Sequence, residues 1–318
     1  MKKPLIIIAG PTACGKTASS IYLAKKINGE IISADSMQVY KYMNIGTAKI
    51  TKDEMENVKH YLIDEFYPDY DFSIATFKQK ATEYINDIHS RGKVPILVGG
   101  TGFYINSIIY DNDFTQTEKD DTYRKELEQI ANQKGNLYLH NMLQKVDEKS
   151  AQDIHPNNVK KVIRALEFYK LTGQKISQHN QEEKQREQAY NTTFFVLNMD
   201  RDKLYERINL RVDKMIKDGL IEEVENLLNK GYNKNNVSMQ GIGYKEIIAY
   251  LDGECSLDYA IDTIKKNTRH FAKRQLTWFK HQAKGALWVD VANFDTQENL
   301  VKYMESIFLE GEQNGHSL

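Results

Sequence analysis

Eight consecutive residues near the start of the sequence have the types and spacing that hold a phosphate group. They fit the pattern G-x-x-x-x-G-K-[ST] and lie between an apolar run and a helix-like segment. Backbone N–H groups converge on an anion in such a loop, Lys16 adds a full charge, and the Thr17 hydroxyl is placed to bind Mg²⁺. The pattern predicts a phosphorylated ligand without identifying it, and a chance glycine-rich turn is the alternative. The residues are Gly10, Pro11, Thr12, Ala13, Cys14, Gly15, Lys16 and Thr17.

Two more predicted strands end in residues that could carry chemistry. Asp35 follows the short predicted strand 31–34, and the sequence Gly-Gly-Thr-Gly at 99–102 follows the apolar residues 94–98. The carboxyl ends of parallel strands face the ligand crevice, so Asp35 could act there as a general base or an outer metal ligand. A turn or helix-capping aspartate is the alternative. Thr101 offers a hydroxyl at the same edge, unless this segment is only a strand-to-helix turn.

A cationic stretch near the end of the sequence is typical of a nucleic-acid contact. Residues 264–284 hold seven Lys or Arg and no Asp or Glu, in a chain whose formal net charge is −1. A helical wheel separates a cationic side that could contact a phosphate backbone from an apolar side, although a merely solvated face is the alternative. The cationic side has Lys266, Arg269, His270, Lys273, Arg274 and Lys280, and the apolar side has Ile264, Phe271, Leu276, Trp278 and Phe279.

Composition excludes several classes of protein. The 318 residues are 41% hydrophobic and 27% charged, which argues against wholesale disorder. Near-neutral charge leaves no global field to attract polyanions, so any nucleic-acid contact must be local. Two cysteines imply neither a disulfide framework nor a zinc site. Because no stretch approaches the roughly 20 apolar residues of a membrane helix, we expect a cytoplasmic protein without membrane contact.

The order of predicted elements indicates an α/β fold with an insertion. Buried strands are predicted at 5–9, 31–34 and 94–98, with helices at 16–27 and 74–90, and strands return at 194–199 and 286–291. This order predicts a P-loop core with a parallel sheet and helices on both faces, formed by residues 1–112 and 190–318. Residues 113–189 should form a mainly helical insertion domain, with helices at 121–146 and 157–172. A loop or exposed helix is expected at 177–191.

Several motifs together resemble one family, the tRNA dimethylallyltransferases. The resemblance extends from about residue 5 to about residue 290 in unbroken order, and its later motifs are more specific than the phosphate-binding pattern. The motifs are GPTACGKT (10–17), DSMQVY (35–40), GTAK (46–49), GGTGFY (99–104), IHPNNVKKVIRALE (154–167), RxxxR at 207–211, GLIEEV (219–224), GIGYKE (241–246) and AKRQLTWF (272–279).

The resemblance implies a reaction. Such enzymes transfer a dimethylallyl group from dimethylallyl diphosphate to the exocyclic N6 amine of adenosine 37, next to the anticodon, in tRNAs that read codons beginning with U. The loop that commonly binds ATP would then bind a diphosphate leaving group, with Mg²⁺ as cofactor. The partner would be the tRNA anticodon arm, whose acceptor base must leave its stack to enter a pocket. We expect a monomer.

The resemblance also implies roles for individual residues. Asp35 would be the general base and Thr101 a second contact to the nucleotide. Arg207 and Arg211, four residues apart and so on one helix face, would clamp the diphosphate, unless they form a solvated surface face. The residues expected to contact tRNA are Asp35, Ser36, Met37, Gln38, Thr101, Arg124, Lys160, Lys161, Val162, Ile163, Arg164, Gln240, Gly241, Ile242, Gly243, Tyr244, Lys245, Lys273 and Arg274.

Two other classes of protein remain compatible with part of the sequence. A small-molecule or nucleotide kinase would share the phosphate-binding loop and an aspartate after the second strand. It would need neither the basic helix nor a helical insertion of this length. A non-catalytic RNA-binding protein that kept an inactive phosphate loop would need no general base at Asp35.

Overall fold

The computed structural model describes residues 2–111, 121–183 and 186–314. Within these residues six strands form one parallel sheet with the order β3-β2-β4-β1-β5-β6. The strands are β1 Pro4–Ala9, β2 Gly29–Ala34, β3 His60–Tyr61, β4 Val94–Gly99, β5 Asn191–Asn198 and β6 Leu287–Asp290.

The remaining regular structure is helical. In chain order the α-helices are α1 Lys16–Lys26, α2 Ile74–Ser90, α3 Gly102–Ile109, α4 Asp121–Lys134, α5 Asn136–Val146, α6 Glu148–Asp153, α7 Val159–Thr172, α8 Ile176–Glu183, α9 Arg201–Lys217, α10 Leu220–Asn229, α11 Tyr244–Leu251, α12 Leu257–Gln282 and α13 Gln297–Asn314. Short 3₁₀ segments lie at Ser238–Gln240 and Val291–Asn293.

The chain forms two compact units. One contains Met1–Ile109 and Gln188–Leu318, and the other contains Tyr110–Glu187. The first unit contains the whole sheet, which confirms the predicted α/β class. Its central strands are apolar runs such as residues 5–8 of β1, whose side chains are fully buried. Such runs suit parallel strands that are covered on both faces. The described residues of the second unit are helical.

The connections place helices on both faces of the sheet. Helix α1 links β1 to β2 across β4, whereas α2 links β3 back to β4 in the opposite direction. Parallel crossovers are right-handed, so links that run in opposite directions lie on opposite faces. Because every strand is parallel, the carboxyl ends of β1, β2, β4 and β5 meet at one edge, where a ligand crevice is expected.

The helical unit has its own apolar core. Helices α4, α5 and α7 provide most of it, including the fully buried Leu127, Leu139, Leu143 and Val162. The single helix predicted over 121–146 is wrong. Gly135, at φ 86° and ψ 158°, leaves the helical conformation and separates α4 from α5.

One further local difference has a simple cause. The sequence did not predict β3, because two residues are too few for an apolar pattern, yet they pair with Ile31 and Ile32 of β2. Of the two alternatives expected for 177–191, the helix is present in part as α8, which ends at Glu183. Among the described residues, no helix has both the length and the apolar character needed to cross a bilayer.

Candidate functional site

The phosphate-binding loop, residues 10–17, turns sharply between β1 and α1. Gly10 has a φ of 143°, and a Cβ atom there would lie 2.4 Å from the carbonyl oxygen of Leu197 on the neighbouring strand β5. Gly15 has a φ of 97° and directly precedes α1. Glycine is needed at both positions, because a side chain would clash at one and strain the backbone at both. The curled loop therefore brings its amides to the first turn of α1, where anions bind favourably.

Lys16 folds back over this loop. Its Nζ atom donates to the carbonyl oxygen of Gly10 at 2.9 Å and to that of Pro11 at 2.6 Å. The ammonium group is thus held beside the converging amides, where it can neutralise a bound diphosphate. These two carbonyls keep the charge in place before any ligand arrives.

Thr17 provides a hydroxyl at the first exposed turn of α1. It lines a small pocket of about 30 Å³ that Ser20, Ser33 and Gln38 also line. Mg²⁺ usually keeps several waters and takes only one or two protein oxygens together with substrate phosphates. No group of three or more His, Cys, Asp or Glu that could hold a metal occurs in the part of the chain that is described. The Thr17 hydroxyl is thus the kind of single protein oxygen that such an ion takes.

Asp35, directly after β2, is held in a fixed orientation by its own loop. Its Oδ1 atom accepts the backbone N–H of Met37 at 2.8 Å and that of Gln38 at 3.3 Å. This aspartate turn restrains the carboxylate without using Oδ2, which has no hydrogen bond to any described residue. The turn that the sequence offered as an alternative is therefore present, and it leaves one oxygen available for chemistry.

An open cavity of about 340 Å³ lies at the carboxyl edge of the sheet. Its walls come from loops after β1, β2 and β4 and from helices α9, α11 and α12. Parallel pairing is what brings these distant segments together. Of the site residues expected from the sequence, it is lined by Thr12, Asp35, Ser36, Met37, Thr101, Arg211, Gln240, Gly241, Ile242, Gly243, Tyr244 and Arg274.

The structure separates the two arginines of α9. Arg211 lines the cavity, and its Nη1 atom donates to Oγ1 of Thr12 in the phosphate-binding loop at 3.4 Å. Surrounding protein lowers the pKa of Arg211 from its usual value, and the positive charge of Arg207 adds to this effect. Arg207 instead lies with Nη1 4.0 Å from the sulfur of Met199. Only Arg211 thus joins the cavity to the phosphate-binding loop.

A carboxylate that the sequence analysis did not single out shapes another wall. Glu223 of α10 accepts the backbone N–H groups of Asn44, Ile45 and Gly46 at 2.8, 2.7 and 3.1 Å. It also accepts the hydroxyl of Tyr244 at 2.6 Å. The ring of Tyr244 packs so closely that a Cβ atom on Gly46 would lie 2.6 Å from it. The motifs GTAK and GLIEEV contain these residues, but the sequence does not show that Gly46 of one motif contacts Glu223 of the other.

The same contacts assign a structural role to Tyr244. Its side chain is fully buried, whereas Gln240 and Lys245, at the two ends of the segment 240–245, are exposed. The Tyr244 hydroxyl thus helps to hold the loop, while the expected contact of Tyr244 with tRNA stays a prediction. Gln38, another expected contact, donates from Nε2 to the carbonyl oxygens of Thr47 and Ala48, both at 3.3 Å.

Helix α12 presents the predicted cationic and apolar sides with one exception on each. Lys266, His270, Lys273, Arg274 and Lys280 are exposed. Arg269 is not free, because its Nη1 atom donates to Oδ1 of Asn209 on α9 at 2.6 Å. Phe271, expected on the buried side, is 36% exposed, because at that point the helix borders the cavity and not a closed core.

The exposed cations continue into a shallow depression on the same helix. This depression has a volume of about 390 Å³ and is lined by Lys273, Arg274, Thr277, Trp278, His281 and Gln282. Two cations beside an indole ring are suited to a phosphate backbone with an unstacked base.

The helical unit, taken by itself, exposes part of its expected RNA contacts. Lys160, Lys161 and Arg164 lie on the exposed side of α7. Val162 and Ile163 face the apolar core of this unit, so direct RNA contact by their side chains is not supported. The reason is the helical period of 3.6 residues, which places Lys160, Lys161 and Arg164 on one side of α7 and Val162 and Ile163 on another.

Arg124, the remaining expected contact, is paired within the same unit. Its Nη2 atom donates to Oε2 of the buried Glu167 at 2.6 Å, and Nη1 of Arg164 lies 3.6 Å from the same oxygen. Two arginines share one carboxylate, so this group of three side chains has an excess of positive charge.

Comparisons with known proteins agree with this geometry. A family model described as "IPP transferase" matches residues 38–282. A tRNA dimethylallyltransferase of Lachnoclostridium phytofermentans is 54% identical over 98% of this chain and 99% of its own length. One from Acetivibrio thermocellus is 52% identical over 95% and 96%.

Solved structures extend the likeness to the fold. The full-length tRNA isopentenylpyrophosphate transferase of Bacillus halodurans has 46% identity and a TM-score of 0.74, covering 99% of both chains. A eukaryotic dimethylallyltransferase, described in snapshots of its action on tRNA, has 32% identity and a TM-score of 0.81, covering 94% of this chain and 77% of its own. The family match and these near-full-length identities establish that the chain belongs to the IPP transferase family, among the tRNA dimethylallyltransferases.

Proposed function

We propose that this protein transfers a dimethylallyl group from dimethylallyl diphosphate to the N6 amine of adenosine 37 in tRNAs that read codons beginning with U. Membership of the family supports tRNA prenylation as the reaction. The observation that carries the finer assignment is the cavity, which Asp35, Thr101 and Arg211 line together with Thr12 of the phosphate-binding loop. A diphosphate held by that loop would place its allylic carbon at this cavity.

The residues around the loop suit a diphosphate leaving group. When the carbon–oxygen bond breaks, negative charge grows on the departing diphosphate. The amides of the loop, Lys16 and Arg211 stabilise that charge where it develops, which is a large source of catalysis. A bound Mg²⁺ would neutralise part of the same charge as a Lewis acid, with the Thr17 hydroxyl as its protein ligand. Arg207 is proposed as an outer contributor of positive charge.

Asp35 and Thr101 suit the acceptor. The N6 lone pair is delocalised into the purine, so the amine becomes acidic only as the new nitrogen–carbon bond forms. Asp35 then takes the proton on its available Oδ2, as a general base must lie within hydrogen-bond reach of the proton it removes. Thr101 lines the same cavity and is proposed to orient the nucleotide. The products are prenylated adenosine and diphosphate.

The exposed cations suit the anticodon arm. The acceptor base must be turned out of its stack to enter a pocket, and the phosphates on either side then need positive charge. Lys273 and Arg274 of α12 would supply it beside the cavity. The helical insertion is proposed to contact tRNA through Lys160, Lys161 and Arg164, and the enzyme is proposed to act as a monomer.

One reaction tests the assignment. Purified protein is incubated with unmodified tRNA, dimethylallyl diphosphate and Mg²⁺, and the tRNA is then digested to nucleosides for mass spectrometry. We expect an adenosine that has gained one dimethylallyl group. A second digestion, to oligonucleotides, should locate this nucleoside at position 37. Absence of any prenylated adenosine contradicts the proposal. A parallel measurement of the melting temperature tests the kinase alternative. A kinase should be stabilised by ATP with Mg²⁺ and not by dimethylallyl diphosphate, whereas the proposed enzyme should be stabilised by dimethylallyl diphosphate.

A further inference from the structure

A single buried side chain on α12 joins the two glycine-rich loops of the site. The Oε1 atom of Gln275 accepts the backbone N–H of Thr12 at 3.0 Å. Its Nε2 atom donates to the carbonyl oxygen of Gly100 at 3.0 Å. Gln275 is only 7% exposed, so neither hydrogen bond is readily replaced by water. The amide therefore spans from the loop after β1 to the loop after β4.

Each end of this amide is next to a group that lines the cavity. On one side Thr12 lines the cavity and accepts a hydrogen bond from Arg211. On the other side Gly100 immediately precedes Thr101, which also lines the cavity. Gln275 thus fixes one peptide on the proposed diphosphate side and one on the proposed nucleotide side.

The packing around the amide shows that the contact is closely fitted. A Cβ atom on Gly100 would lie 2.0 Å from Nε2 of Gln275, so even alanine would displace the amide. At Gly102 a Cβ atom would lie 2.1 Å from the ring of Trp278, one turn farther along α12. The two glycines allow α12 to approach the loop, and the amide then makes the specific bonds.

We propose that Gln275 is a positioning residue for prenyl transfer, which holds the diphosphate-binding loop and the nucleotide-binding loop at the separation that the reaction needs. The inference rests on the proposed function. Only a side chain with both a donor and an acceptor can make these two bonds, and Gln275 contacts neither the cavity nor the reacting atoms. Its loss should leave each substrate with its own contacts but misalign the two, and small misalignments can cost about 100-fold in rate.

The first test replaces Gln275 by methionine, which has a similar shape but no hydrogen bonds. We expect Gln275→Met to lower kcat at least about tenfold while the KM values for donor and tRNA stay within about threefold. The control is Gln79→Met, the same change at an exposed glutamine of α2 whose Nε2 atom donates to Glu83. A kcat within about twofold of wild type, or a loss confined to KM, overturns the proposal.

A double-mutant cycle tests the contact itself. In Gly100→Ala the added methyl group should displace the Gln275 amide from the Gly100 carbonyl oxygen. This variant should therefore lower kcat as Gln275→Met does. The double variant should lose little more than either single variant, because methionine can move and both changes break the same link. Fully additive losses would show that the two residues act separately. Should Gln275→Met not fold, Gln275→Glu keeps the acceptor for Thr12, loses the donor to Gly100 and adds a negative charge there, and normal kcat in that variant overturns the proposal.

A readout without turnover separates this inference from the proposed function. In the Gln275→Met protein, hydrogen exchange at the Thr12 amide should be faster, while the amide of Ser19, which donates to Gly15, should be unchanged. Unaltered exchange at Thr12 overturns the positioning role. If wild-type protein forms no prenylated adenosine, the proposed function fails, and the exchange experiment still decides whether Gln275 holds the loop.

Discussion

The hydroxyl of Tyr244 donates a hydrogen bond of 2.6 Å to Oε1 of Glu223, and both residues hold the loop that contains Gly46. Burial, and then the negative charge of Glu223, raise the pKa of the Tyr244 hydroxyl well above its usual value. The hydroxyl therefore stays protonated and remains a donor across the physiological range. In this way a helix and a cavity-lining segment fix a loop that has no regular structure of its own.

Replacing Glu223 by glutamine should loosen this loop. The new amide presents N–H groups to backbone N–H groups, so we expect a loss of about 2 kcal/mol in the free energy of unfolding. Because Gly46, Thr47 and Ala48 line the cavity, kcat/KM should fall about tenfold as well. Urea unfolding and steady-state kinetics measure the two effects. Glu225→Gln, on an exposed face of the same helix, should change neither, and equal behaviour of both variants would refute the loop-holding role.

Removing the ammonium group of Lys16 should affect mainly the rate. Lys16→Ala deletes the charge held beside the loop amides, and we expect a loss of about 3–4 kcal/mol in transition-state stabilisation. Single-turnover kinetics with saturating tRNA measure it. Lys26→Ala at the exposed end of α1 is the control. Near-normal turnover in Lys16→Ala would exclude a diphosphate bound by this loop.

Asp35→Asn should separate proton transfer from binding. Asparagine keeps an oxygen that can accept the N–H of Met37, so the turn should survive. It cannot act as a general base, and kcat should fall about 100-fold to 10,000-fold. Filter binding of tRNA should stay within about threefold of wild type. If product formation persists while tRNA binding falls, Asp35 is a binding contact and not a base.

If the exposed cations of α12 contact tRNA, the affinity for tRNA should depend on salt concentration through them. Lys273→Ala and Arg274→Ala should each weaken tRNA binding and reduce the slope of log K against log salt by about one unit per lost phosphate contact. The measurement is a titration of the anticodon stem-loop at several salt concentrations. Lys284→Ala, beyond the end of the helix, is the comparison. Slopes identical to that of wild type would mean that these side chains are only solvated.

A buried carboxylate at the opposite edge of the sheet should control acid stability. Two hydrogen bonds from Arg91, with others from Lys93 and Tyr61, lower the pKa of Glu30 to about 2 in spite of its burial. Because the folded pKa lies below the unfolded value, Glu30 stabilises the fold above about pH 4.5, and this contribution is lost as the pH falls toward about 2.

Glu30→Gln tests this dependence. We expect it to lower the free energy of unfolding by about 2 kcal/mol at about pH 7 and by progressively less as the pH falls. This is less than the full pKa shift of Glu30 implies, because Arg91 is partly exposed to solvent. Urea unfolding of both proteins at several pH values gives the difference. Glu83→Gln, which breaks an exposed pair with Lys80, should cost little at any pH. A constant difference across the acid range would contradict the linkage.

Local sequence determined the elements that carry the chemistry. The apolar run before residue 10 predicts a buried strand, and the spacing of Gly15, Lys16 and Thr17 predicts an anion site at a helix start, because backbone conformation and local charge depend on near neighbours. Asp35 and Thr101 could be placed at one edge for the same reason, since parallel strands share their direction. The family resemblance then supplied a reaction that these positions alone did not specify.

The tertiary structure decided which distant residues meet. Nothing in the spacing of Gln275 and Thr12, 263 positions apart, indicates a hydrogen bond between them. Likewise, only packing separates Arg211, which lines the cavity, from Arg207, one turn away on the same helix. Such contacts depend on how helices approach the sheet, and that approach is fixed by the burial of side chains across the whole unit. Periodicity gives a helix its apolar and polar faces, but the partner of each face exists only once the chain has folded.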